Sequence, residues 1–519
     1  MKQKVRFAVL CDLHVERAGD FHSRYFAEAL RQAAAATPDF IVLLGDLTAR
    51  GGAEALGAVA EMAKSCPIKT LFLPGNSDVR DTPIETYRTL IGVERFAFRQ
   101  DGILFLGLDT SLPSIGDEQR QWLGRQLAQA EASRLVVFTH VPARKLEKGS
   151  RAFLERLLSE SRAMLCVAGH SHRPEVSRLA GCEVHTVGGT DPFKPVPAQP
   201  GFDLFTVTEA GEVRAQRRPI TLLSATQVEA VISRLGAAPR AFQSPEQLVQ
   251  CLERSGLRHV QVKEGCLRLP GMAEQLNSWS RRTPGAAVSI HLQSLHLDES
   301  GGISNRADLL ADVEGVLALK AAFVTVHLPK TDSALVLDER GSVAKNPFTA
   351  RMLGDFAALL RPLAERGVGI HLENLRSRRE GLPDERCLGV VPSHLVAFRK
   401  ALDDLLGTGR AGIGFTLDVG HAWGNGALAS PFPVYKWFEA LRPHVLSLHL
   451  HDMVPCGGKQ ITHQPLGSKG GTVGLEGVFF LLMNSAPQTV VYLEMLNLPD
   501  IAPSLDHIRR WAGQVAQLR

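Results

Sequence analysis

Metal-ligating residue types recur at the ends of short apolar runs in the first ~220 residues of the chain. Each of the runs VRFAVLC, FIVLLG, KTLFLPG, RLVVFT and MLCVAG is followed directly by Asp, Asn or His. The candidate ligands in this part of the sequence are Asp12, His14, Asp46, Asn76, His140, His170 and His172. Carboxylate and amide oxygens combined with neutral imidazole nitrogens suit divalent transition metals, and a shared carboxylate holds two ions for work on a phosphoryl group. The pattern therefore predicts a centre for two divalent ions, with Mn, Fe, Zn or Ni as candidates.

A second set of such residues ends the apolar runs in the C-terminal part of the chain. These runs end in the segments SIHLQ, TVHLP, HLEN, TLDVGH, LHLHD and YLEM. The residues of metal-ligand type here, including His463 in a later loop, are His291, His327, Glu373, Asp418, His421, His449, His451, His463 and Glu494. Glu, Asp, His and Glu from four different strands provide a divalent-metal site, and the further histidines provide ligands for more ions. The sequence predicts between one and three ions here, Zn or Mn, and the surplus of histidines favours at least two.

The first set of ligands requires strands that deliver them to one edge of a sheet. The apolar runs are continuous, which is typical of parallel strands buried on both faces. Helical patterns such as FHSRYFAEALRQAAAA separate them, whereas CEVHTVGG and FDLFTVTEAGEVRAQRRP are typical of antiparallel strands. Because the carboxyl ends of parallel strands meet at one edge, the candidate ligands are expected to lie together.

The second set requires a different arrangement of strands. From about residue 225 a strand–helix rhythm repeats, with the strand candidates HVQVKEG, AAVSIHLQ, FVTVHLP, GVGIHLEN, GIGFTLDVGH, VLSLHLHD and TVVYLEM. This rhythm predicts a (β/α)8 TIM barrel, in which the carboxyl ends of the strands form the active face. One strand remains to be placed, near GCLRLPG or in the segment 380–400. The predicted fold class is α/β, with domains at 1–222 and 241–519 and a linker at 223–240.

Composition and charge limit the class of partner. The chain has 519 residues, 45% hydrophobic and 22% charged, which excludes a disordered chain, a collagen or a coiled coil. The formal net charge is only +4, whereas binding nucleic acid through charge needs a dense basic stripe. A small phosphorylated substrate, such as a nucleotide or a sugar phosphate, is therefore favoured over nucleic acid. The sequence makes no prediction of the oligomeric state.

Targeting signals are not found in the sequence. The N-terminal segment MKQKVRFAVLCDLH has too short an apolar run for a signal peptide. No apolar stretch reaches the ~18 residues that a membrane span needs. The eight cysteines contain no C-x-x-C pair and suggest no disulfide framework. These features predict a cytoplasmic protein without a membrane partner.

Five motifs of the first part, DLHV, GDLTARGG, LPGNSD, THVP and AGHSHRP, resemble those of the calcineurin-like metallophosphoesterases and occur in that family's order. GDLTARGG and LDTSLPSIGDEQRQWLGRQL resemble the branch that contains bacterial cyclic-nucleotide phosphodiesterases. The resemblance implies an α/β sandwich in which a metal-bound hydroxide attacks phosphorus in line. It implies that one ion is held by Asp12, His14, Asp46 and His172, and the other by Asp46, as the bridge, with Asn76, His140 and His170.

One position departs from that family's pattern. The family places a histidine after the Asn of its third motif, as a proton donor or a support for the transition state, and this chain has Ser77 there. Because a serine hydroxyl has no pKa near neutrality, it is a poor general acid. The departure predicts substrates with good leaving groups, such as phosphodiesters or activated phosphate esters. His22, placed in a loop after the first strand, is a candidate substitute for the missing histidine.

The C-terminal part resembles the xylose-isomerase-like barrels, which include sugar isomerases, epimerases and the endonuclease IV type of abasic-site nuclease. The resemblance assigns the shared metal-binding quartet to Glu373, Asp418, His449 and Glu494. It assigns additional nuclease-type ligands to His291, His327, His421 and His463. The nuclease has an Asp two residues before its last histidine, where this chain has Ile461. A third ion is therefore expected to be weak or absent.

Three functions follow for the barrel. Hydrolysis of a phosphodiester needs additional metal charge, and the extra histidines favour it. A sugar or sugar-phosphate isomerase or epimerase, acting in sequence with the first domain, needs acid–base glutamates around one ion. The third alternative is a non-catalytic module that binds metal and ligand. For the whole chain the sequence predicts a two-domain metal-dependent hydrolase, which is bifunctional if the barrel is an isomerase.

Overall fold

The computed structural model describes residues 3–129, 134–376, 386–407, 412–424, 431–456 and 459–518. The chain divides into two compact units, Met1–Leu222 and Leu223–Gln517. Among the described residues, no helix combines the length and the apolar character that crossing a bilayer requires.

The N-terminal unit is built on two separate sheets. Its strands are β1 (Gln3–Leu10), β2 (Phe40–Leu44), β3 (Thr70–Leu73), β4 (Phe96–Gln100), β5 (Ile103–Leu108), β6 (Arg134–Thr139), β7 (Leu165–Ala168), β8 (Glu175–Leu179), β9 (Cys182–Thr186), β10 (Gly201–Thr208) and β11 (Val213–Pro219). The first sheet has the order β11–β10–β1–β2–β3 and the second has the order β4–β5–β6–β7–β9–β8. Its helices are α1 (Phe21–Ala35), α2 (Ala53–Lys64), α3 (Ile84–Leu90), α4 (Asp117–Ala128) and α5 (Lys148–Glu160).

Phenylalanine side chains join the two sheets face to face. The buried ring of Phe7 on β1 stacks between Phe40 and Phe205 of its own sheet, at centroid distances of 5.3 and 5.1 Å. It also meets Phe105 and Phe138 of the second sheet edge-on, at 5.7 and 5.6 Å. Such ring pairs each add ~0.5–1.5 kcal/mol beyond the burial of apolar area. The unit is therefore an α/β sandwich with an aromatic core between its two sheets.

The directions of the strands explain where their polar ends meet. β1, β2 and β3 run parallel, and so do β5, β6, β7 and β9. The ligand-bearing ends therefore come from two sheets, whereas the sequence pattern indicated one. β9 is antiparallel to β8, as expected for CEVHT, but it is parallel to β7. The sequence did not reveal β8 because its residues are largely exposed and form no apolar run.

The C-terminal unit contains a closed barrel, which confirms the predicted (β/α)8 architecture. Its strands are β12 (Leu235–Ala241), β13 (His259–Lys263), β14 (Ala287–His291), β15 (Phe323–His327), β16 (Gly369–Glu373), β17 (Ile413–Asp418), β18 (Val445–Leu450), β19 (Asp452–Cys456), β20 (Lys459–Gln464) and β21 (Val490–Asn497). The barrel order is β12–β13–β14–β15–β16–β17–β18–β21, with all neighbours parallel, and β19 and β20 form an inserted hairpin. Its helices are α6 (Ala225–Ile232), α7 (Pro245–Ser255), α8 (Glu264–Leu267), α9 (Met272–Arg282), α10 (Arg306–Ala318), α11 (Ser333–Val336), α12 (Pro347–Glu365), α13 (Pro392–Leu406), α14 (Val419–Trp423), α15 (Val434–Leu441), α16 (Leu475–Ser485) and α17 (Ile501–Gln517).

The strand that the sequence left unplaced is β12, with the sequence LGAAPRA. Both predicted locations were wrong, because GCLRLPG begins in α8 and the described part of 380–400 leads into α13. A Cβ at Gly236 would lie 2.9 Å from Cδ1 of Tyr492, and Ala238 packs with Phe323 and Tyr492. Small side chains in β12 leave room for these rings, and for that reason they form no recognisable hydrophobic run.

The segment 223–240, predicted as a linker, holds α6 and most of β12. The side chain of Ser224 caps α6 by accepting from the backbone N–H of Gln227, whose side chain accepts from the Ser224 N–H in return. α6 packs against α16 and α17 of the barrel. This segment therefore belongs to the barrel rather than linking it to the first unit.

Candidate metal centres

The ligand candidates of the N-terminal unit lie in the turns that follow β1, β2, β3, β6 and β7. Several have left-handed backbone, with φ of +54° at Asp12, +51° at His14, +48° at Asp46, +67° at His170 and +56° at His172. This conformation costs a residue other than glycine about 1 kcal/mol and concentrates at functional sites. The N–H groups of Leu13 and His14 both donate to the carbonyl of Asp46, at 2.8 and 3.0 Å. The backbone is thus turned sharply to gather these side chains.

The side chains form two adjoining clusters. One consists of Asp12, His14 and His172, and the other of Asp46, His140 and His170, with the ligand atoms of each cluster within 4.8 Å of one another. His14 Nε2 lies 3.3 Å from His172 Nε2, which in turn lies 3.5 Å from Asp12 Oδ1. Asp46 lies between the clusters, with Oδ2 3.8 Å from His14 Nε2 and Oδ1 3.3 Å from His140 Nε2. This is the position of a bridging carboxylate.

The charge states of the centre fit a divalent cation. Burial, together with the positive charge of His140, lowers the pKa of His170 to about 4, so its imidazole is in the neutral form that binds metal. Burial alone would lower the pKa of His140, but the charge of Asp46 raises it to about 9. The Nδ1 atom of His140 donates to the carbonyl of Leu44 at 2.8 Å, leaving Nε2 toward the centre. Within the described residues, His140 Nε2 and Asp12 Oδ1 are buried without a hydrogen bond, so a cation in each cluster would satisfy these atoms.

Two glycines allow the ligands to approach the backbone closely. A Cβ at Gly75 would lie 2.1 Å from the backbone nitrogen of Asp46 and 2.3 Å from its Oδ1. A Cβ at Gly45, where φ is +82°, would lie 2.4 Å from Nδ1 of His140. Asn76 follows Gly75, and its Oδ1 accepts a hydrogen bond from Nδ1 of His170 at 2.7 Å. Asn76 is therefore beside the second cluster, where the sequence placed it.

Ser77 occupies the edge of this centre together with two residues that sequence reasoning missed. Its N–H donates to Asp46 Oδ1 at 2.7 Å, and its hydroxyl accepts from Nη2 of the exposed Arg80 at 3.3 Å. Asp78 is buried next to Ser77 in the chain, and its carboxylate accepts backbone N–H groups from the turns after β2 and β3. Burial and the negative charge of Asp46 raise the pKa of Asp78 to about 6. The signal for Asp78 was its place directly after Ser77 in the motif LPGNSD, whereas Arg80 lies two residues beyond that motif.

His22 does not lie in a loop, as the sequence analysis expected, but in the first turn of α1. It is buried, its Nε2 lies 3.4 Å from Oδ1 of Asp191, and its ring meets Phe193 edge-on at 4.9 Å. The N–H of Asp191 donates to the carbonyl of Asp12 at 3.1 Å. His22 is therefore connected through Asp191 to the backbone of Asp12.

Glu373 at the end of β16 is the hub of the barrel centre. Its Oε2 lies 2.9 Å from His291 Nε2 and 3.5 Å from His327 Nε2, while its Oε1 lies 2.8 Å from His449 Nδ1. His291, His327 and Glu373 form a buried cluster of potential ligands. Burial lowers the pKa of His327 to about 3, which keeps its imidazole neutral. The structure thus brings the early histidines predicted from the sequence onto one carboxylate.

The predicted quartet converges on one nitrogen of His449. Nε2 of His449 donates to Gln261 Oε1 at 2.7 Å, leaving Nδ1 toward the centre. This Nδ1 is 2.8 Å from Glu373, 3.1 Å from Glu494 and 3.9 Å from Asp418. Burial alone would lower the pKa of His449, but the two glutamates raise it to about 10. A cation among these carboxylates would replace that proton.

The remaining candidates lie on the Asp418 and Glu494 side of the quartet. Nδ1 of His421 is 3.7 Å from Asp418 Oδ2, and Nε2 of His463 is 3.5 Å from Glu494 Oε1. His451, which follows His449 in the LHLHD segment and was one of the strand-end residues of metal-ligand type, lies with them, its Nε2 3.3 Å from Asp418. The signal for it was the LHLHD segment, because residues two apart lie on the same face of a strand.

The sequence analysis also missed two basic side chains in the barrel centre. Nζ of the buried Lys263, at the end of β13, lies 2.6 Å from Glu494 Oε1, and Nε of Arg240 lies 3.4 Å from the same oxygen. Both residues occupy strand ends, which is where functional residues of such barrels are found. They give the centre positive charge of its own beside its carboxylates.

The chain combines an N-terminal phosphoesterase domain with a C-terminal (β/α)8 barrel. Residues 5–174 match the family model of calcineurin-like phosphoesterases, so this unit carries a calcineurin-like phosphoesterase domain. No curated protein matches the chain.

Several solved structures are similar to parts of the chain. Endonuclease IV from Thermus thermophilus is 19% identical with a TM-score of 0.38, covering 54% of this chain and 99% of its own. D-psicose 3-epimerase from Clostridium cellulolyticum, solved with D-tagatose, is 13% identical with a TM-score of 0.35, covering 55% of this chain and 98% of its own. GAP50, the anchor in the inner membrane complex of Plasmodium, is 14% identical with a TM-score of 0.33, and the match covers 42% of this chain and 85% of GAP50. At these identities the likeness concerns the fold alone.

Proposed function

We propose that the N-terminal unit hydrolyses phosphodiesters or activated phosphate esters with the help of two divalent ions. The observation that carries the proposal is the pair of ligand clusters joined by Asp46. Divalent ions held there would neutralise phosphoryl charge and activate the attacking water. The chain's own residues orient the centre, since the Leu44 carbonyl fixes the ring of His140 and the Ser77 N–H fixes the carboxylate of Asp46.

Ser77 and Arg80 set the substrate preference in this proposal. The hydroxyl of Ser77 has no acidic proton near neutrality and accepts a hydrogen bond from Arg80. A guanidinium keeps its charge throughout the physiological range, so it stabilises a negative leaving oxygen without protonating it. Substrates whose leaving group departs as a stable anion therefore suit the site better than alkyl phosphate monoesters.

The variant Ser77→His tests this proposal directly. We expect the wild-type protein, loaded with Mn²⁺, to hydrolyse bis(4-nitrophenyl) phosphate and to act much more slowly on an alkyl phosphodiester. The introduced imidazole can protonate the poor leaving group, so Ser77→His should raise the alkyl diester rate by about 10²-fold and change the aryl rate far less. Ser77→Ala is the matched control and should leave the ratio of the two rates unchanged. Equal wild-type rates on both substrates, or no hydrolysis of either, would reject the proposal.

We infer that the barrel is a second metal-dependent hydrolase that acts on phosphodiesters. The supporting observation is that histidines surround the quartet on two sides, His291 and His327 at Glu373 and His463 at Glu494. A charged phosphoryl group makes use of more than one cation. Lys263 and Arg240 add fixed positive charge at the same place, and both side chains bind phosphate oxygens well.

A different observation favours a sugar or sugar-phosphate isomerase or epimerase as the second candidate. Glu373 and Glu494 face each other across Nδ1 of His449, at 2.8 and 3.1 Å. Two carboxylates on opposite sides of one ion are suited to remove a proton from a sugar carbon and return it. Lys263 and Arg240 would then bind a substrate phosphate.

Turnover in a background without the first centre distinguishes the two candidates. With Asp46→Asn silencing the N-terminal unit, the metal-loaded chain is incubated with an abasic-site oligonucleotide, with small phosphodiesters and with ketohexoses and their phosphates. We expect cleavage of a phosphodiester, because the centre has ligands for more than one ion. Interconversion of sugars without cleavage of any diester would replace the hydrolase by the isomerase.

A further inference from the structure

We propose that the barrel contains a separate ion site formed by Asp418, His451, His463 and Glu494. Two imidazoles and two carboxylates form a donor set that suits Zn²⁺ or a similar divalent transition metal. The site is additional to the cluster of His291, His327 and Glu373. The inference rests on the proposed function only in taking the barrel as metal-dependent, and it brings in a ligand, His451, that neither the quartet nor the family resemblance includes.

The four side chains are buried, and their ligand atoms lie within 4.8 Å of one another. Nε2 of His451 is 3.3 Å from Asp418, and Nε2 of His463 is 3.5 Å from Glu494. The rings of His451 and His463 stack with centroids 4.3 Å apart and planes at 23°. The side chain of His463 is 5% exposed, yet its Nε2 makes no hydrogen bond in the described part of the chain. A buried nitrogen without a partner, facing carboxylates, is a position that a cation would satisfy.

The backbone around the cluster is shaped to admit His451. A Cβ at Gly420 would lie 2.0 Å from Cε1 of His451, so a larger residue there would displace the ring. His463 has left-handed backbone with φ of +58°, a conformation that concentrates at functional sites. The carboxylate of Asp452 holds the following loop by accepting the N–H groups of Gly467, Thr472 and Val473 at 2.9, 2.7 and 3.0 Å. The two histidines are therefore held against each other by the fold.

Nδ1 of His451 has a partner in either of its protonation states. The carbonyl of Asp452 lies 3.2 Å from it, and the N–H of His463 lies 3.0 Å from it. When Nδ1 carries the proton, it donates to the carbonyl and leaves the Nε2 lone pair toward Asp418. A backbone carbonyl in this position is a common support for a metal-binding histidine. The surroundings of His451 thus allow it to bind a cation without losing its second contact.

His451 also accounts for Ile461. Ile461 stands where the resemblance to the nuclease calls for an acidic ligand, and it is 43% exposed. His451, directly after β18, places a second imidazole beside His463, so that both rings face the proposed ion. An imidazole from the end of β18 is thus available where position 461 provides no ligand, and we expect a third ion that Ile461 alone had predicted to be weak or absent.

The zinc content of the full-length chain tests this site. Wild type and variants are loaded with Zn²⁺, freed of loose metal by gel filtration and measured by mass spectrometry of the element. We expect His451→Ala to lose one equivalent per chain, His291→Ala with His327→Ala to lose a different one, and the combination to lose both. His296→Ala, which removes an exposed histidine of the same barrel, is the matched control and should lose none. Thermal unfolding of each metal-free variant checks that the fold is kept.

The variant His451→Cys separates ligation from packing. A thiolate binds zinc and cobalt, so this variant should keep the equivalent that His451→Ala loses. Loaded with Co²⁺, it should show a thiolate-to-cobalt charge-transfer band that wild type and His296→Ala lack. Wild-type zinc content in His451→Ala, or no such band in His451→Cys, would overturn the proposal. Because no readout uses turnover, loss of zinc without any diester cleavage would keep this site and reject the hydrolase, and cleavage with unchanged zinc would do the reverse.

Discussion

Replacing Asp46 by Asn is expected to lower phosphodiester hydrolysis by the N-terminal unit by on the order of 10³-fold or more. Asp46 contacts both ligand clusters, through Oδ2 to His14 and through Oδ1 to His140. An amide in its place keeps one acceptor oxygen for the Ser77 N–H, so the turn is retained. It loses the negative charge and the second anionic oxygen, so both ions are bound more weakly. Rates on bis(4-nitrophenyl) phosphate and metal content per chain measure the two effects together.

Asp39→Asn is the matched control for this change. Asp39 precedes the same strand, β2, at its opposite end, and it also accepts a backbone N–H, from Arg6 at 2.7 Å. The control should keep both the wild-type rate and the wild-type metal content, because Asp39 is exposed and lies outside the clusters. If Asp46→Asn retained most of the hydrolysis, the bridging role of Asp46 and the location of the active centre would both be wrong.

The predictability of the two centres follows from a simple property of parallel strands. A strand buried on both faces is largely apolar, so a metal-ligating residue at its carboxyl end or just after it marks the edge where the site lies. This rule located Asp46 and His140 in one unit and Glu373 and Asp418 in the other. The rule identifies where a residue lies but not which oxygen faces which nitrogen. The position of Asp46 between two clusters could therefore be stated only through the family resemblance.

The residues that sequence reasoning missed depend on partners that lie far away in the chain. Lys263 ends a strand and would normally be solvated, but Glu494 of another strand buries it in an ion pair. Asp78 is buried because turns from two strands supply it with N–H donors. Such pairings are set by tertiary structure and leave little trace in local pattern.

Elements with weak hydrophobic signals were the part of the fold that could not be placed. β12 is rich in small residues because the rings of Phe323 and Tyr492 pack beside it in the barrel. β8 is largely exposed, so its pairing with β9 replaces burial as the reason for its conformation. In both elements the strand is specified by what packs or pairs with it. Periodicity reports burial on one face and therefore cannot detect either case.

Replacing Glu373 by Gln is expected to abolish turnover by the barrel, with a loss on the order of 10³-fold or more. Glu373 contacts His291 and His327 through one oxygen and His449 through the other. The amide of Gln is neutral. The cluster at His291 and the quartet at His449 therefore both lose the negative charge that Glu373 provides to them. Without that charge the imidazole of His449 should also lose much of the upward shift of its pKa, which now stands at about 10. The expected result is loss of metal from both positions.

The control for this change is Glu253→Gln, the same substitution at a half-exposed glutamate of α7 that pairs with Arg282. Barrel turnover, measured in the Asp46→Asn background, should fall in Glu373→Gln and stay at the Asp46→Asn level in Glu253→Gln. NMR titration of the histidines in the metal-free protein should show the pKa of His449 moving down in the first variant only. A variant Glu373→Gln that kept its metal and its turnover would show that the glutamate is a structural partner of the histidines, and the centre of reaction would then lie at Asp418 and Glu494.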